Sequence, residues 1–388
     1  TSCLPGAALA VSGRGGAEGM QLSEKLSYLG VVLPNVNLMP QHRQGRARPR
    51  RFASTGGMTA HWSHAWPTEP ELLDSWLELS QTHPAGTAFH TPAWQQALAR
   101  PYLRVRRHRL LIVRHGSRVD GVFPLQVNAG GVLETPGSMI SDYLEPLIRP
   151  ELSYPVWDSC IRALSETPGV AVKRVVFHNV RPEYADTDAI GRACLQAGFS
   201  MTISESARVS RVPLPASWDQ YLRRLSRHDR KEIRRKLRNS VSRAGAELRA
   251  VSSEPEISAA LETVFGFMRK SGGVKGIKAQ WTYRPMFKRA SAGLVQSGRL
   301  EVLLLRLKGR DAAGLISLPT AAGPLLWASG FDQTQSSWSP GIVLFAMAIE
   351  RAISRGEQWL DLLRCQQRYK SEFGAVDSPI CRITLTRR

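Results

Sequence analysis

The stretch LEVLLLRLKGRDAAGLISLPTAAGPLLWASGFD, residues 300–332, decides the fold. It holds three apolar runs, 300–309, 311–320 and 324–332, separated by short turns. Runs of that length, rich in Leu, Ile and Val and bounded by Gly or Pro, read as strands. SPGIVLFAMAIERAISRG (339–356) follows and reads as a helix. EQWLDLLR (357–364) is a further strand, QQRYKSEFG (366–374) a short helix, and SPICRITLTRR (378–388) a last strand. Upstream, AELRAVS (246–252) is a strand, and 254–272 and 280–298 are helical, the second bent at Pro285. The order is β-α-α-β-β-β-α-β-α-β.

Before this block comes WDQYLRRLSRHDRKEIRRKLRNSVSRAG, 218–245, read as one long basic helix. Residues 223–243 hold ten Lys or Arg against Asp229 and Glu232, and Gly245 suits the helix end. Such a helix contacts an anionic partner, or is a solvated rod whose Arg stems cover apolar surface. The first half is a looser version of the second. It has a helix over 69–80, a helix opening at Thr91-Pro92, and a hairpin across Gly116-Ser117. A loop-rich stretch spans 130–148. A helix (155–166), a strand (173–180), a helix (188–198) and an extended run (199–214) complete it. The expectation is a mixed α/β (α+β type) chain of two related domains.

The chain has 388 residues, 43% hydrophobic and 22% charged, with a formal net charge of +20. That is globular composition with material for a sizeable core. Arg dominates the basic residues, which fits either an Arg-rich proteome or an anionic partner. Cysteines at 3, 160, 194, 365 and 381 form no CxxC pair, so free thiols and a reducing, cytoplasmic setting are expected. The histidines complete no zinc set, and no metal is expected. No apolar run reaches the length of a membrane-spanning helix, and none is expected. Residues 1–57, with GRGGAEG and HRQGRARPRR, are expected to be largely disordered.

The chain lacks GxxxxGK[ST], a GxGxxG between strand and helix, and a GxSxG elbow. Kinase, dehydrogenase and α/β-hydrolase readings lose their parts. The order of the second half resembles the acetyl-CoA-dependent GNAT acyltransferase superfamily. Five motifs narrow the resemblance to its CelD-type, FemAB-related branch, which carries two GNAT-like domains. They are FHTPAWQQAL (89–98), GSMISDYLEPLI (137–148), the basic helix, SPG (339–341), and the strand end DLLR with Tyr369-Lys370 and Phe373-Gly374. Two departures stand out. The usual Q/R-x-x-G-x-G/A loop is missing, and Cys365 replaces the Gly expected after Arg364.

The resemblance implies tandem GNAT-like acyl-CoA N-acyltransferase domains with mixed central sheets and a cleft between them. The domains span 58–214 and 246–388, with a basic linking helix at 215–245. It implies acyl transfer from acetyl-CoA or another acyl-CoA to an amine or hydroxyl on a small or saccharide-linked acceptor, in exopolysaccharide or cell-envelope synthesis. Asp142, Tyr143, Tyr369 and Lys370 are the expected catalytic groups. Ser339, Gly341 and Ile342 would hold the donor's phosphates at a helix start. Trp94, Asp361 and Arg364 would meet the substrate. Tyr369 and Lys370 are neighbours on a helix and point about 100° apart, so one packs while the other faces the site. A Fem-type transferase using aminoacyl-tRNA and a non-catalytic binding module are the alternatives. tRNA is the less favoured partner, peripheral membrane contact stays open, and so does the oligomeric state.

Overall fold

The strands from 300 onward are apolar on both faces because both faces are covered. Leu303, Leu305 and Leu315 face a cluster formed with the helix Pro340–Ser354. Val302, Leu304 and Ile316 face another, formed with the helices Glu254–Lys270 and Arg284–Gln296. The computed structural model describes residues 51–53, 57–63, 65–104, 108–165, 172–364 and 367–388, with the backbone path alone at 51–53 and 101–104. Most of the 1–57 segment expected to be disordered, and Cys365, lie outside the described residues.

In chain order the strands are β1 (Arg51–Ala53), β2 (Met58–Ser63), β3 (His108–His115), β4 (Arg118–Val127), β5 (Leu133–Glu134), β6 (Leu147–Ile148) and β7 (Arg174–Val180). Then come β8 (Phe199–Pro213), β9 (Glu247–Val251), β10 (Glu301–Leu307), β11 (Arg310–Leu318), β12 (Leu325–Phe331), β13 (Trp359–Arg364) and β14 (Val376–Arg387). They form one mixed sheet in the order β1-β2-β3-β4-β5-β7-β14-β8-β13-β12-β11-β10-β9, with β6 also on β4. Each half repeats one plan. A three-strand antiparallel meander is followed by a helix and a strand parallel to the third. In the first half the pieces are β3, β4, the interrupted β5–β6, the helix Ser153–Ser165, and β7 parallel to β5. In the second half they are β10, β11, β12, the helix Pro340–Ser354, and β13 parallel to β12.

The closing strands cross over. β8, which ends the first half, pairs with β13 of the second half. β14, which ends the chain, pairs with β7 of the first half and runs along β8 from Phe199 to Arg211. The sheet is therefore continuous through both halves. A helical contact reinforces the joint. A Cβ on Gly293 would lie 2.7 Å from the Ala93 Cβ, so only glycine lets Arg284–Gln296 rest this closely on Pro92–Arg104.

The basic stretch is two helices, Trp218–Arg224 and Arg227–Ala244, where one was expected. Leu225 turns down into the core, and the extended Ser226 accepts a hydrogen bond from the Asp229 N–H at 3.1 Å. An N-cap restarts the helix there. Gly245 closes it in the left-handed conformation, as its position suggests. Where a bend at Pro285 was expected, residues 279–283 form a π-turn that leads into Arg284–Gln296, with Pro285 in its first turn.

Candidate active site

The site lies where the first half reaches into the second. β12 and β13 run parallel but share one ladder pair, Leu325 with Asp361, and part beyond it. The loop between β5 and β6, residues 135–146, reaches into this region. The Trp327 Nε1 on β12 donates to the Ile140 carbonyl at 2.9 Å. The Trp94 Nε1 donates to the Ser141 Oγ at 2.9 Å.

Two carboxylate–guanidinium pairs tie the halves at the end of β13. The Arg364 guanidinium pairs with the Asp142 carboxylate; their side chains keep 21% and 12% exposure. The Arg211 Nε donates to the Asp361 Oδ2 at 3.0 Å, and the Tyr143 hydroxyl donates to the same oxygen at 2.5 Å. Tyr143 is fully buried, with the Arg181 guanidinium 4.2 Å from its ring centroid. Burial, and then the Asp361 charge, hold the phenol well above its ordinary pKa, outweighing the opposing pull of Arg211 and Arg181. Tyr143 is therefore a neutral hydrogen-bond donor at physiological pH.

The strand end itself is bent. Leu363 has φ 60°, a left-handed conformation that costs a branched side chain about 1–2 kcal/mol. The Asp361 Oδ1 accepts the Leu363 N–H at 2.7 Å and braces the turn. In a straight strand successive carbonyls alternate sides. Here Leu362, Leu363 and Arg364 aim three carbonyls at one point, the Lys370 Nζ, at 2.8, 2.9 and 2.7 Å.

This corrects the expectations for the short helix Arg368–Glu372. Lys370 is 3% exposed and its three N–H groups are committed to backbone, so it braces the strand end rather than meeting a phosphate. Tyr369 packs edge-on against Phe345, ring centroids 5.5 Å apart, inside the second-half core. Neither side chain faces open space. Trp94, expected at the substrate, is also fully buried, among Phe89, Phe287 and Trp327, with its N–H spent on Ser141.

Three residues of the joint escaped the sequence reading. Asn179, at φ 54°, donates from its side-chain amide to the Ser138 and Ser141 carbonyls at 2.9 and 2.8 Å. It thereby clamps the loop that carries Asp142 and Tyr143. Asn tolerates the left-handed region, and Asn-Val-Arg-Pro at a strand end was the available signal. Arg181 and Arg211 lie in or just past strands whose alternation gave no hint that their charges point inward. A cavity of about 360 Å³ lies in the first half, with Glu145, Glu183, Tyr184, Ala185 and Trp157 among its walls. Glu145 and Glu183 are the partners of Arg181 and Arg211.

The helix Pro340–Ser354 begins beyond the end of β12. Ser339, expected with Gly341 and Ile342 at the donor's phosphates, adopts φ 51° and makes no side-chain cap. Pro340 has no N–H, and the first-turn N–H groups of Gly341 and Ile342 receive no side-chain oxygen. Such a start carries the positive end of the helix dipole and fits a phosphate. Among the described residues no group of three His, Cys, Asp or Glu is placed to hold a metal.

Comparison with known proteins gives a domain match in the second half and a fold likeness for the chain. Residues 227–371 match the model of an acetyltransferase (GNAT) domain. No curated protein matches the chain. FemX is similar in structure, with a TM-score of 0.55 at 10% identity over 80% of this chain and 95% of that one. The C-terminal DUF2156 domain of a candidate lysylphosphatidylglycerol synthetase from Agrobacterium fabrum gives 0.52 at 12% identity over 81% and 91%. A conserved protein of unknown function from Bacteroides thetaiotaomicron gives 0.51 at 11% identity over 82% and 95%. Residues 227–371 carry a GNAT-type domain, and the chain as a whole has a FemX-like fold.

Proposed function

We propose that the protein is an acyltransferase that moves an acyl group from acyl-CoA to an amine or hydroxyl of a small or saccharide-linked acceptor, in cell-envelope or exopolysaccharide synthesis. The observation that carries this reading is the parting of β12 from β13 next to an uncapped helix start. Parted parallel strands leave room for a thioester arm, and the N–H groups of Gly341 and Ile342 suit its pyrophosphate. The acceptor nitrogen or oxygen attacks the thioester carbon directly, the C–S bond breaks, and the thiolate leaves. Asp142 takes the proton that the acceptor loses. Arg364 holds the Asp142 carboxylate in place. Tyr143, a neutral donor to Asp361, is a positioning residue rather than a base.

The test is release of free thiol from acetyl-CoA and longer acyl-CoAs over a panel of amines and saccharides. Asp142→Asn should lower kcat by about 100-fold, the usual worth of a general base, with acyl-CoA affinity unchanged. Turnover with charged tRNA and with no acyl-CoA would replace this reading by the aminoacyl-tRNA one.

A further inference from the structure

The helix Arg227–Ala244 gathers five of its eight Lys and Arg on one side. At 3.6 residues per turn, Arg227, Arg230, Lys231, Arg234, Arg238 and Val241 share an arc of about 100°. Asp229 and Glu232 lie on the opposite flank, and Ile233, Ser240 and Ala244 are buried between. Only Arg234 among the five cations has an acidic partner among the described residues, Asp219 at 3.7 Å. The stripe runs about 21 Å at 1.5 Å per residue. A solvated helix built for its own stability would interleave acids along this arc. This one presents a narrow line of five cations, four of them with no acidic partner among the described residues, ending in Val241, an apolar side chain left 52% exposed.

We propose that this face docks the protein on an anionic lipid surface. A line of cations on one side of a helix meets a plane of headgroups all at once, and Val241 is placed to enter the acyl boundary. Nucleic acid fits less well. The helix carries no Phe, Tyr or Trp on which a base would stack. No helix among the described residues is long and apolar enough to cross a membrane, so contact through this face is peripheral. The contact would bring the protein to acceptors displayed at that surface, whichever chemistry it performs on them.

The full chain is sedimented with vesicles of equal phosphatidylglycerol and phosphatidylcholine, and with vesicles of phosphatidylcholine alone, at low and at physiological salt. Binding should be confined to the anionic vesicles and weaken as salt rises. The triple variant Arg227→Gln, Lys231→Gln, Arg238→Gln, which removes three charges, should bind on the order of 100-fold less, at about fivefold per charge. Val241→Trp should bind severalfold more tightly, a gain that a misfolded chain would not show. Thiol release with soluble substrates should be unchanged in both, which keeps this test separate from that of the reaction. Equal binding to both vesicle types, no vesicle binding, or wild-type binding by the triple variant overturns the proposal. So does RNA binding in the same buffers that exceeds anionic-vesicle binding and is lost in the triple variant.

Discussion

Lys370 sets three donors against three carbonyls that a straight strand would scatter, and the left-handed Leu363 gathers them. Lys370→Met would leave those carbonyls without their donor in a buried place. It should cost about 3 kcal/mol in urea unfolding, with 1–3 kcal/mol expected for each group left unsatisfied. A loss under about 0.5 kcal/mol would refute the bracing role. The sequence showed that this strand end was special, through Asp361, Arg364 and the Tyr-Lys pair. It hid the outcome because a charged residue next to a site looks alike whether it meets ligand or backbone. His90 offers a pH test in the first half. Burial, and then the Arg181 charge, hold its pKa well below the ordinary histidine value. The unfolded chain therefore takes up a proton below about pH 6.5 that the folded chain refuses. Stability should be full above that pH and fall on acidification, by up to about 1.4 kcal/mol per pH unit. His90→Gln should flatten the slope in urea midpoints measured from pH 7 to pH 5, and an unchanged slope would place the titration elsewhere.

Elements were the most legible level, because apolar period and turn residues act locally. All strands from β9 to β14 fall within a few residues of their expected places. The failure at Leu225-Ser226 is instructive. Ser226 with Asp229 three residues on is an N-terminal signature inside a continuous basic run, and the charge pattern masked it. Ser226→Ala should lower stability by about 1 kcal/mol, read from the thermal midpoint. No change there would mean that the two helices are held apart by packing alone. The interrupted strand β5–β6 could not be read, since its two-residue pieces are too short to carry a period. Yet that interruption delivers Asp142 and Tyr143 to the far half.

At the scale of the molecule, the exchange of β8 and β14 makes the two halves one sheet. Extended runs at 199–214 and 378–388 were plain in the sequence, but their partners were not, because pairing is decided by the tertiary fold. The exchange predicts that removing residues 376–388 unfolds both halves together, as followed by hydrogen exchange. Native protection kept in β3 and β4 of the truncated chain would show that the first half stands alone. The central claim is that the parted strands and the uncapped helix start hold an acyl-CoA. Calorimetric titration with acetyl-CoA and longer acyl-CoAs tests it most directly. The account predicts saturable one-to-one binding, weakened at least tenfold by Gly341→Asp, which sets a carboxylate against the phosphates. No heat with any CoA ester, or binding indifferent to Gly341→Asp, would contradict it.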